Sequence, residues 1–170
     1  GVMHRFARKG SVTSFNHATL YDYKKIIGDA VHDYKIIMRA RHPLDHAISY
    51  YHMPRRWLSI EADGVHVQRP PIWDANAFLS LLKEIKPASD FLLVDGEHVQ
   101  PDYVIRLESL EADFSEFCKA AELGIKGSDL PHRNKSSLSL NFDRQKDITP
   151  EIEAAVRAHF SYDYKLFGYT

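Results

Sequence analysis

DYKIIMRARHPLDHAISYYH, residues Asp33–His52, changes its periodicity in the middle. Its first half is a compact, isoleucine-rich apolar run, which suits a strand covered on both faces. Its second half opens with Pro43, whose fixed φ and missing N–H suit the first position of a helix. Arg41 falls on the turn between them, and Ser49 lies eight residues further on, inside the predicted helix. A strand, a tight turn and a helix therefore follow each other directly, and Arg41 stands where the strand ends.

Similar alternation runs along the rest of the chain. Upstream, HATLYDYKKIIG places Leu20, Tyr23, Ile26 and Ile27 on one helical face, with Thr19 as N-cap and Gly28 as the stop. Downstream, DANAFLSLLKEIKP is a helix capped by Asp74 and ended by Pro87, with Ala77, Phe78, Leu81, Leu82 and Ile85 as its apolar stripe. FLLVDG and YVIRLES are expected strands, and VHVQ a short one within an irregular excursion from Met53 to Ile72. LEADFSEFCKAAELG puts Leu110, Phe114, Phe117, Cys118 and Ala121 on one face before Gly124. A last helix starts at TPEIEAAV, with Thr149 as cap, Pro150 in the first turn and two glutamates complementing the dipole. Strands alternating with helices predict a single α/β domain over residues 1–170, with a mainly parallel sheet flanked by helices. In such sheets ligands gather beyond the carboxyl ends of the strands, where Arg41 is expected.

Composition narrows the function classes. With 44% hydrophobic and 26% charged residues and a formal net charge of -1, the 170-residue chain is an ordinary globular sequence. A pI near 6.9 gives no support to broad nucleic-acid binding. One cysteine, Cys118, cannot form an internal disulfide, which favours a reducing, cytoplasmic setting. No apolar run has the length of a membrane span, and the basic leading segment, residues 1–15, lacks the apolar stretch of a secretory signal.

The chemistry expected at the turn is anion recognition. An arginine leaving a strand grips an oxyanion through its planar fork, a serine on the adjoining helix adds a neutral hydrogen bond, and the free N–H groups of the helix start attract negative charge. The plain alternative is that Arg41 pairs with Asp45 and Ser49 sits on a solvated face. HPLDH also sets His42 and His46 four apart with an acid between them, superficially like a zinc-hydrolase helix. Pro43 argues against that, because a histidine before the helix start does not share a regular face with His46, so no metal is expected.

RHPLDHAISYYH resembles the 3′-phosphate-binding motif of the sulfotransferases, and YVIRLESLEADFSEFC, LPHRNKSS and DYKLFGY resemble, in that order, the C-terminal half of the carbohydrate sulfotransferases and their bacterial relatives. The likeness spans roughly Asn16 to Tyr169. It implies a P-loop-NTPase-like fold, 3′-phosphoadenosine 5′-phosphosulfate (PAPS) as sulfuryl donor, and a hydroxyl of a carbohydrate-like acceptor. Arg41 and Ser49 match the two residues that hold the 3′-phosphate. His17 resembles the catalytic histidine of the heparan 2-O-sulfotransferase type, its plain alternative being a residue that flanks a helix. Arg133, Asn134 and Lys135 resemble a late loop that closes near the nucleotide, their plain alternative a polar surface turn.

The front of the chain departs from the family pattern. The family's 5′-phosphosulfate loop has the form Pro-Lys-x-Gly-x-Thr-Ser. The nearest match here is RKGSVTSF, where Lys9, Thr13 and Ser14 are suggestively placed but the proline is absent and the glycine misplaced. A basic loop is the expectation there, with the true 5′ loop lost or lying upstream. The rival to an enzyme is therefore a sulfotransferase-like binding module without chemistry. Trp57, Trp73, Tyr50 and Tyr51 are available to stack on a sugar, although aromatic residues at such positions more often pack the core.

Overall fold

The computed structural model describes residues 17–53, 58–60, 62, 64, 66–68, 72–125, 127–130 and 141–170. The first helix, α1 (Leu20–Ile27), is fixed at both ends by local chemistry. Thr19 and Asp22 form a reciprocal capping box, and Gly28, at φ 63°, closes the helix in a conformation that side chains resist. A 3₁₀ segment, Gly28–Asp33, leads into β1 (Ile37–Ala40). Then α2 (Pro43–Tyr51) starts with Pro43 in its first turn, as the sequence predicts.

Next come β2 (Leu58–Ile60) and β3 (His66–Gln68), an antiparallel pair, and α3 (Ala75–Leu82) with Asp74 accepting the N–H of Ala77 as its cap. The helix ends at Leu82 rather than near Pro87, because the chain tightens into turns in which Glu84 and Ile85 donate to Leu81 and Leu82. Ile85 is still buried in the core. FLLVDG forms less strand than expected. A 3₁₀ turn, Ala88–Leu92, precedes the two-residue β4 (Leu93–Val94), which folds back on β5 (Glu97–His98). Asp95 and Gly96 both have positive φ at this Asp-Gly turn, the geometry a tight hairpin requires. After β6 (Tyr103–Arg106) a 3₁₀ turn, Leu107–Ser109, opens α4 (Leu110–Ala120). The chain closes with α5 (Arg144–Asp147), α6 (Pro150–His159) and α7 (Ser161–Phe167).

The class is mixed α/β, and β1 and β6 pair in parallel with Ile37 opposite Tyr103 and Ala40 opposite Arg106. Among the described residues this is the parallel pairing, and the other strands form two antiparallel hairpins. Both ends of the parallel pair are tied. At the start, the Asp102 carboxylate accepts the N–H of Ile36 at 2.8 Å and the Lys35 ammonium at 2.7 Å. At the carboxyl end both strands deliver their chains to the same edge of the molecule.

The main core lies between α2, α3, α6 and α7. Ala47, Val156 and Phe160 are fully enclosed there, with Leu44, Ile48, Tyr51, Phe78, Leu82 and Ile152 around them. A smaller cluster of Ala40, Leu92 and Phe167 joins the end of β1 to α7. Helix α4 packs beside β6, where Tyr103 and Phe117 meet edge to face at 5.3 Å. Cys118 is buried on its inner face, and burial pushes its thiol up from the ordinary value.

Asp163 supplies a buried long-range polar tie. Only 3% exposed on α7, it accepts the N–H of Ala88 at 2.9 Å and of Ser89 at 2.8 Å. A carboxylate from far along the chain thus caps the 3₁₀ turn, which explains why that segment coils where its apolar composition favoured a strand.

Candidate functional site at the carboxyl ends of the parallel strands

Arg41 is the first residue beyond β1, and Pro43 dictates the local geometry. Steric conflict with the proline ring keeps the preceding residue out of the helical region, and His42 accordingly sits at φ -52°, ψ 125° before α2 begins. The chain therefore breaks cleanly from strand to helix within two residues. Arg41 is half-buried at this break. Among the described residues it makes no hydrogen bond or ion pair. Asp45, the partner weighed for it from the sequence, pairs instead with Arg144 on α5 at 2.5 Å. Ser49 is half-buried on α2, six residues beyond Pro43, so it stands about 9 Å along the helix axis from that first turn.

Beyond β6 lies a second group of residues at the same edge. Glu108 accepts the backbone N–H of His42 through Oε1 at 2.7 Å and the phenolic O–H of Tyr169 through Oε2 at 3.2 Å. Burial, reinforced by the charge of Glu108, pushes the Tyr169 phenol far above its ordinary value, so it remains a donor. Arg106 donates through Nη2 to the carbonyl of Phe167 at 3.2 Å and lies 3.7 Å from the Asp113 carboxylate, which also accepts the Arg106 N–H. Glu108 lies in the turn between β6 and α4, where a carboxylate would ordinarily serve the start of α4. It serves the start of α2 instead, because the parallel pairing brings residues 42 and 108 side by side. This modifies the expectation for the anion site: the N–H of His42 is already taken by a carboxylate of the protein.

His46, one turn into α2, packs its ring 5.9 Å from that of Phe160. Burial holds its imidazole below the ordinary value; Arg41 and Arg39 act in the same sense, and Asp163 opposes them. A neutral ring beside two guanidiniums leaves the positive charge to the arginines. His42 meets different rings, edge-on to Tyr164 at 5.6 Å and Tyr169 at 5.3 Å. Among the described residues no group of three or more His, Cys, Asp or Glu side chains is placed to hold a metal ion.

His17 is exposed, at φ 66°, two residues before the cap of α1. Thr19, not His17, caps that helix. His17 therefore precedes α1 and the 3₁₀ segment that leads into β1, and among the described residues no hydrogen bond, ion pair or ring contact joins it to Arg41 or Ser49. Lys9, Thr13, Ser14, Arg133, Asn134, Lys135 and Trp57 lie outside the described residues. The other candidate sugar platforms are packing residues. Tyr51 is 1% exposed, and Trp73 is half-buried with ring centres 4.7 Å from Phe142, 5.0 Å from Phe78 and 5.1 Å from Tyr51.

Sequence reasoning missed Tyr169 and Arg144, and it missed the contact between Glu108 and His42. Each depends on a partner more than sixty residues away, which no local pattern carries. No helix among the described residues is long and apolar enough to cross a membrane. Comparison of the chain with protein-family models, with curated proteins and with solved structures returns no match.

Proposed function

We propose that this chain is a PAPS-dependent sulfotransferase domain of P-loop-like ancestry, in which Arg41 and Ser49 hold the 3′-phosphate of the donor. The observation that carries this reading is Arg41 itself: half-buried, without a hydrogen bond or ion pair among the described residues, and first beyond a parallel strand at a strand-to-helix break. An unpaired guanidinium in that position is a strong recognition element for a phosphate, and a hydroxyl two helical turns along α2 completes a clamp for one oxyanion. In the reaction the bond between sulfur and the 5′-phosphate oxygen breaks while the acceptor oxygen bonds to sulfur. His17 takes the acceptor's proton, and 3′,5′-ADP departs. Because the transition state is loose, positioning and charge stabilisation supply most of the rate. The acceptor proposed is a carbohydrate-like hydroxyl compound.

Two observations favour a second reading, a binding module without chemistry. The Glu108 carboxylate at the start of α2 opposes a phosphate arriving there, and His17 has no tie to the pocket. Calorimetric titration separates the readings. 3′,5′-ADP is expected to bind at least about tenfold more tightly than 5′-AMP, and Arg41→Ala to erase the difference. Equal heats from the wild type and Arg41→Ala would refute the pocket. Transfer from labelled PAPS to a panel of sugars, lost in His17→Ala, would establish the enzyme; nucleotide binding without any transfer by the wild type would establish the module.

A further inference from the structure

A cleft of about 330 Å³ opens between the start of α2 and helices α5, α6 and α7, at the small end of the range for ligand sites. Neither Arg41 nor Ser49 lines it. Two guanidiniums do. Arg144 gives one N–H to Asp45 and keeps its side chain 53% exposed. Arg157 lies over the ring of Tyr164 at 4.4 Å and makes no ion pair among the described residues. Stacking on the ring holds its planar fork in place without using its hydrogen-bonding edge. Glu153, one turn earlier on α6, borders the same cleft and likewise makes no ion pair among the described residues. His42 forms the opposite wall. Its Nδ1 is closed off from solvent without a hydrogen-bond partner, while Tyr164 and Tyr169 hold the ring edge-on.

The charges specify the ligand. Asp45 neutralises Arg144, while Arg157 and Glu153 add one charge of each sign without pairing to each other, so Arg157 attracts one anionic group and Glu153 repels a second. A single anionic group satisfies Arg157 and the remaining N–H groups of Arg144. Glu153 needs a donor, as a hydroxyl provides. The volume suits one sugar-sized ring rather than a nucleotide. We propose that this cleft is a binding site for a small hydroxylated monoanion, an organic acid or sulfate ester of about monosaccharide size, held by Arg157 and Arg144 and oriented by Glu153. The site stands whether or not Arg41 holds a nucleotide.

The test is an amide chemical-shift titration of the full chain with D-glucuronate, glucose 6-sulfate, glucose 6-phosphate and glucose. Saturable shifts at the amides of His42, Arg144 and Arg157 are expected with glucuronate or glucose 6-sulfate, at least about tenfold tighter than with glucose. Response to both shows a shared oxyanion chemistry, and response to one identifies carboxylate or sulfate as its source. Arg157→Gln, an exposed helix position, is expected to weaken binding about tenfold, and Arg41→Ala to leave it unchanged. Glu153→Gln is expected to tighten the dianion glucose 6-phosphate about tenfold. Absence of saturable shifts with both monoanions, equal binding of glucose, or wild-type affinity in Arg157→Gln overturns the proposal. Loss of binding in Arg41→Ala alone reassigns the anion to the strand-end pocket and overturns it too.

Discussion

Asp163→Ala is expected to destabilise the fold by about 3–4 kcal/mol. The carboxylate is 3% exposed and accepts two backbone N–H groups, at 2.9 Å from Ala88 and 2.8 Å from Ser89. Hydrogen bonds to a charged acceptor contribute about 1.5–3 kcal/mol each, and a donor left unsatisfied in the interior retains its full desolvation cost. The two sites differ. Ala88 is half-buried, so its N–H can recover water after truncation and sits at the low end of that range; Ser89 is 1% exposed and sits nearer the middle. Asp163→Asn keeps one acceptor oxygen but turns an NH₂ toward the other donor, so about half the loss is expected. Urea unfolding followed by circular dichroism reads these numbers. With a slope of about 2 kcal/mol per molar urea for a chain of this size, Asp163→Ala should lower the midpoint by about 1.5–2 M with the slope unchanged. A shift below about 0.5 M, or an asparagine variant less stable than the alanine variant, would refute the capping assignment.

The other predictions concern packing and pH. At Gly127 an added Cβ would run into the Glu111 carbonyl and the Ser115 hydroxyl, so Gly127→Ala is expected to cost about 1–3 kcal/mol. That cost should lower the melting temperature by about 2–12 °C, and an unchanged melt would contradict the contact. Phe160→Ala, at a fully enclosed core position, is expected to lose about 3–5 kcal/mol in the same denaturation assay, and a loss under about 1 kcal/mol would mean that the core closes over the gap. For His46 the sign follows from its lowered native pKa. Below about pH 6.5 the unfolded chain takes up a proton that the folded chain resists, so stability is intact above that pH and declines as the pH falls toward the native value. His46→Gln should flatten the fall in urea midpoint between about pH 7 and pH 5; an unaltered slope would assign that fall to other groups.

Helices with complete local signals were legible in the sequence. The Thr19 capping box and Gly28 mark α1, Pro43 marks α2, and Thr149 with Pro150 marks α6, because each boundary is set by residues within a few positions of it. The break at Arg41 was legible for the same reason: an apolar run followed by a proline leaves few conformations in between. Segments whose conformation is imposed from a distance were not legible. The coil at Ala88–Leu92 depends on Asp163, and α7 (Ser161–Phe167) follows α6 without an intervening breaker and was not expected as a separate helix. The extent of the sheet was also overestimated, since FLLVDG has strand composition but supplies two residues to a hairpin. At the candidate site, the position of Arg41 came from local pattern. The company it keeps did not: Glu108 on the His42 N–H and Arg144 on Asp45 follow from the strand pairing and the helix packing.

The proposal that Arg41 and Ser49 hold the 3′-phosphate is tested most directly by the crystal structure of the full chain with 3′,5′-ADP. The 3′-phosphate is predicted to lie within hydrogen-bonding distance, about 2.7–3.2 Å, of both the Arg41 guanidinium and the Ser49 hydroxyl, beyond the end of β1. A nucleotide bound elsewhere, or a 3′-phosphate that touches neither side chain, would contradict it.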